Sequence, residues 1–198
     1  MAPDFEAAKQ YALDRLAREL SPVLIYHSLE HTRDEVVPAA ERLARMEGLT
    51  GEPLLLLRTA AYFHDLGFVE RYLDNEVIAV RIAAENLPRF GYTPEQIKTI
   101  TGIIMVTRLP QTPHNHMEEI MADADLDGLG REDFIEREHA LRAEWTALGR
   151  NYTEEEWYRE QVTFLQSHHY FTESARRLRQ AGQQYNIDCC LQILAKLS

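Results

Sequence analysis

Cysteine is nearly absent from this chain of 198 residues: only Cys189 and Cys190 occur, side by side. Neighbouring cysteines make a poor staple, so a disulfide framework is excluded and both are expected as reduced, structurally minor thiols. Long hydrophobic runs are missing too. No apolar stretch approaches the roughly 20 residues that span a bilayer, which excludes a transmembrane helix. The opening "MAPDFEAAKQYALDRLAREL" carries acids early and has no apolar core region, so it does not read as a signal peptide. The expected compartment is the cytoplasm. Positive charge is scarce, with 21 Lys and Arg against 32 Asp and Glu and a net charge of −11. That balance argues against a nucleic-acid partner and against anionic membranes. A small anionic substrate stays compatible with it, because a bound cation reverses the local field in a cleft.

Strand patterns are lacking as well, and what is present is helical periodicity almost throughout. Helices are expected over about 4–20, 28–47, 52–66, 74–89, 93–108, 115–127, 131–148, 154–168, 172–182 and 184–197. Pro38 would bend the second. The third, "EPLLLLRTAAYFHDL", is hydrophobic on all sides and belongs in the centre of the molecule. Thr93 with Gln96 and Thr153 with Glu156 are start signals. No repeat, low-complexity stretch or linker divides the chain, so one all-α domain over 1–198 is expected, with ordinary core roles for Trp145 and Trp157.

The informative polar residues are histidines and acids. "FHDLG" sets His64 beside Asp65 at the end of the most apolar helix. An aspartate there is costly unless a positive group compensates it, as a divalent ion would. A routine ion pair at a solvent-facing helix end is the competing account. In "YHSLEHTRDEV" His27 and His31 stand four apart, the spacing of two ligands on one helix, although His27 can fall before the helix begins. Partly buried histidines bonded to the backbone would explain them equally. "DADLD" holds Asp123, Asp125 and Asp127. Asp123 and Asp125 lie about 200° apart on a helix, so only one of them can face a given ion. A solvated acidic turn is the bland alternative. Together, His, His-Asp and Asp on three helices form an N₂O₂ ligand set suited to Mn, Fe, Mg, Co or Zn.

The order His31, His64-Asp65, Asp123 resembles the HD superfamily of metal-dependent phosphohydrolases. "YHSLEHTRDEV", "AAYFHDLGF", "NEVIAVRIA", "MVTRLPQTP", "IMADADLDGLG" and "HHYFTESA" are similar to one bacterial branch of predicted HD phosphohydrolases, over roughly residues 20–180. The resemblance implies an HD-type helical bundle. It implies metal ligands at His31, His64 and Asp65 and at an aspartate within "ADADLD": Asp123 is favoured for its "IMAD" approach, and Asp125 is the alternative. It places His27 and Asp125 near the substrate; Arg108, following Thr107 near the proline loop, is the candidate phosphate clamp.

The chain departs from two-metal members, which carry further histidines where Asn75, Glu76 and Thr107 stand here; one divalent ion is therefore expected. Nucleotidase members use a glutamate where this chain has Phe68, so Asp65 and Glu76 are the candidates for proton transfer. Arg33, His114, His116 and His169 read as surface groups. Glu118 is a ligand-orienting residue or a helix cap, and His168 is a neighbour of the site. The implied activity is hydrolysis of a small phosphate ester or anhydride, as phosphomonoesterase or phosphodiesterase, with nucleotides the first substrate class. The ion would bind a phosphoryl oxygen and acidify a water for in-line attack. The rival readings are an HD-fold di-iron oxygenase and a non-catalytic module that binds metal or nucleotide.

Overall fold

The computed structural model describes residues 2–197, and among them helices are the only regular structure. No helix among these residues is long and apolar enough to cross a membrane. The described chain sorts into two compact units. One joins the N-terminal helix to His27–Asp125, and the other joins Pro22–Tyr26 to the chain from Leu126 onward.

In the first unit, α1 (Phe5–Glu19) starts where the Asp4 carboxylate accepts a hydrogen bond from the Ala7 N–H at 3.0 Å, and it buries Phe5, Ala8, Ala12 and Leu16. The expected second helix runs unbroken over 29–46, with a change of pitch within it. A wide π-helical turn, His31–Val36, precedes α2 (Val37–Met46), with Pro38 at the start of α2. Pro38 has no N–H to give to the helical ladder, and the Val37 N–H just before it reaches back to the Thr32 carbonyl in the wider π pattern. The helix α3 (Gly51–Phe63) buries Leu56, Leu57 and every residue from Thr59 to Phe63, which agrees with its all-round hydrophobicity. It packs against α1, α2 and α5.

After α3 the chain tightens into a 3₁₀ turn, Leu66–Val69, and then enters α4 (Asn75–Asn86) through Asp74, which has a positive φ of 55°. A Cβ on Gly67 would meet the Asn75 backbone, with its carbonyl carbon at 2.5 Å. Gly67 therefore lets the start of α4 lie directly on the segment that follows His64 and Asp65. The helix α5 (Pro94–Met105) opens with the expected Thr93/Gln96 box, and α6 (His116–Asp125) lies against α2.

The second unit holds the 3₁₀ turn Asp127–Gly130 and the helices α7 (Phe134–Ala147), α8 (Glu154–Ser167) and α9 (Glu173–Leu197). The expected break near residue 183 does not occur, and α9 is one helix of 25 residues. Gly182 serves packing instead: a Cβ there would come within 2.9 Å of the Gly130 carbonyl carbon. The core includes Phe134, Trp157, Leu165 and Ile187, with Trp145 meeting Trp157 edge to face at 5.5 Å. Cys190 is fully enclosed in it, and burial pushes its thiol pKa up to about 12. It is thus a core residue, not the minor thiol expected.

Candidate metal centre

Two short segments of the first unit supply the site. His64 and Asp65 end α3, the most buried helix, and His31 opens the π-helical turn. His64 is wholly inaccessible, and His31 and Asp65 are 6% and 7% exposed. One donor atom from each lies within 4.8 Å of the others, a group that could hold a metal ion.

The ring orientations favour coordination. His64 Nδ1 lies 2.8 Å from the Ala61 carbonyl oxygen, which can only accept, so Nδ1 carries a proton and Nε2 is the nitrogen left to offer a metal. His31 Nδ1 likewise donates to Glu35 Oε2 at 3.0 Å. This leaves both Nε2 atoms to face Asp65, whose Oδ2 is 3.2 Å from His64 Nε2 and 3.8 Å from His31 Nε2. His64 Nε2 and Asp65 Oδ2 are near each other without hydrogen-bond geometry, and both are buried atoms that lack a hydrogen-bond partner. Unpaired buried polar atoms are costly, and their shared direction is what an ion with ligand bonds of about 2.0–2.2 Å would require. The donor set fits a divalent metal.

Electrostatics agree. Burial alone would depress the imidazolium of His64, but the carboxylates of Asp65 and Asp125 outweigh it and raise its pKa well above the ordinary value. Burial would likewise raise Asp65, yet His64 first, then His31 and His27, hold it below the usual carboxylate range. The enclosed acids call for a cation, and a divalent ion supplies one without a proton.

The other sequence candidates are distributed as follows. Asp125, the last residue of α6, places Oδ1 3.4 Å from His64 Nε2 and 3.9 Å from His31 Nε2. Asp123 is fully buried two residues earlier. His27 precedes the first helical residue of its segment, and its ring lies 6.0 Å from that of His31. Glu76 sits half-buried in the first turn of α4. Arg108 is exposed and pairs with Asp74 at 3.2 Å. Glu118 accepts from the His114 N–H and the Asn115 amide, both at 2.7 Å, and so caps α6. Arg33 pairs with its neighbour Asp34 at the surface, and exposed His116 pairs with Glu47 and Glu119. His168 packs edge-on against Tyr170 in the second unit, where burial, then His169, lower its pKa to about 4. Sequence reading overlooked Glu35, although its four-residue spacing from His31 is a legible signal.

No family model matches the chain, and none of the curated proteins does. Two solved structures share its fold. A predicted HD superfamily hydrolase from an uncultured Thermotogales bacterium is 20% identical with a TM-score of 0.63, over 99% of this chain and 94% of that one. Bacillus subtilis YpgQ, solved in complex with ADP, is 19% identical with a TM-score of 0.65, over 96% of each chain. The chain therefore shares the fold of these two proteins, and its helical architecture agrees with the one its motifs imply.

Proposed function

We propose that this protein is a divalent-metal-dependent phosphohydrolase acting on a small phosphate ester or anhydride, with nucleotides as the first substrate class. One observation carries the reading: the buried convergence of His31, His64 and Asp65, with each imidazole anchored through Nδ1 so that Nε2 is presented. We assign the fourth donor to Asp125 rather than the initially favoured Asp123, on the strength of its contacts with both imidazoles. A divalent ion held there would polarise a phosphoryl group and make water nucleophilic near neutral pH.

The surrounding residues take the remaining tasks. Asp65, with one oxygen among the donors, is assigned to orient the attacking water, and Asp65 or Glu76 to take its proton. Arg108 is assigned to the substrate phosphate; its guanidinium already holds a carboxylate, the kind of group that a phosphate replaces. His27 is assigned to the same end of the substrate, beside His31.

Metal analysis of the purified protein, followed by a phosphatase screen with several divalent ions, tests the proposal. Asp65→Ala should lose both metal and hydrolysis while keeping its helical circular dichroism. Unchanged metal content in that variant would overturn the ligand assignment. Iron content together with oxygen uptake would instead identify the di-iron alternative, and tight nucleotide binding without turnover the binding module.

A further inference from the structure

The rings of His31 and His64, with centroids 5.9 Å apart, belong to a longer row. His27 stands edge-on to His31 at 6.0 Å and packs on Phe68 at 4.4 Å. Tyr72 closes the group, 5.8 Å from His27 and 5.2 Å from Phe68. The row runs from the wholly enclosed His64 to His27 and Tyr72, which are only half-buried.

Chain connectivity explains the arrangement. The segment that supplies His64 and Asp65 continues through the 3₁₀ turn to Phe68 and then Tyr72, while the segment that supplies His31 begins with His27. The two stretches that present the metal donors therefore also present three flat rings. Coordination needs the donors alone. Phe68, at 7% exposure, anchors the group as a core residue would, but His27 and Tyr72 keep accessible surface beside it. Small-molecule sites combine this kind of aromatic wall with a few convergent polar groups.

We propose that Tyr72, backed by Phe68, forms a shelf on which a planar heteroaromatic ring of the substrate packs, selecting nucleotides over phosphate compounds that carry no ring. The inference rests on the phosphohydrolase reading above and adds the residues that select the substrate. Stacking on an aromatic side chain is worth roughly 5- to 150-fold in affinity per base and tolerates any base, because every base has a π-face. Purine and pyrimidine nucleotides should therefore differ little.

The test uses the full-length, metal-loaded protein and compares ADP, UDP and inorganic pyrophosphate by calorimetry. ADP and UDP should each bind roughly 5- to 150-fold more tightly than pyrophosphate. Tyr72→Ala should lose most of that preference while keeping metal affinity and helical content, and Tyr72→Phe, which retains the ring, should keep it. Should the alanine variant not fold, Tyr72→Leu carries the same comparison. Equal affinities for ADP and pyrophosphate, or a Tyr72→Ala variant that weakens both alike, overturn the shelf and leave the phosphohydrolase reading standing. A wild-type protein that binds no divalent metal overturns that reading, and the shelf with it.

Discussion

Replacing Gly67 by alanine tests the link between backbone packing and the metal centre. The new Cβ would lie 2.5 Å from the Asn75 carbonyl carbon and 2.8 Å from its Cα, with the carbonyl oxygen closer still. All three atoms are backbone, so no rotamer change relieves the clash. Ordinary contact begins near 3.4 Å, so the start of α4 and the turn Leu66–Val69 must separate by more than about 1 Å. Overpacking of this kind costs about 1–3 kcal/mol, or roughly 2–12 °C in Tm for a chain of this size. Asp65 lies two residues away, and a shift of that size should also weaken metal binding about tenfold or more. Gly102→Ala is the control: in the middle of α5 its Cβ would meet only the end of the Glu118 side chain, at 3.3 Å. That variant should be neutral or up to about 1 kcal/mol more stable, because alanine favours a helix over glycine. Thermal unfolding and a chelator-competition titration measure both quantities. A Gly67→Ala protein as stable and as tightly metal-binding as the parent would refute the reasoning.

Three further outcomes are expected. Glu35→Ala should weaken metal binding about 10- to 100-fold, because His31 loses the acceptor that fixes its ring, whereas Glu35→Gln keeps an acceptor and should lose less; equal affinity in all three proteins would sink the idea. Buried Glu138 has its pKa pushed up to about 8 by desolvation, so the fold holds a proton that the unfolded chain releases from about pH 4.5 upward. Its contribution to stability is complete below pH 4.5 and falls as pH rises towards 8; Glu138→Gln should flatten that part of the urea-denaturation profile, and an unchanged slope would count against it. His27→Ala should keep its metal but lose about ten- to hundredfold in kcat/KM, the worth of one hydrogen bond to a charged phosphate, whereas metal loss equal to that of His31→Ala would make His27 a ligand.

Helical class was legible in the chain because apolar periodicity and capping chemistry are local. Thr93 and Gln96 close their box within one turn, and the apolar face of α3 needs no partner to be recognised. The ordered His and Asp motifs likewise pointed to a metal site before any geometry was known. Local rules failed where distant backbone intervened. The break expected between 182 and 184 does not form: the missing Cβ of Gly182 admits the Gly130 backbone and α9 runs on. Spacing showed that only one of Asp123 and Asp125 could face an ion, but not which one. In the folded chain Asp125 lies beside both imidazoles, and Asp123 is buried two residues earlier. Helical spacing could suggest Glu35 as a partner of His31, but only the folded chain shows their hydrogen bond, and only it gathers His27, Phe68 and Tyr72 into one group. Sequence carries the identity of donors and rings, while their direction depends on how helices far apart in the chain pack.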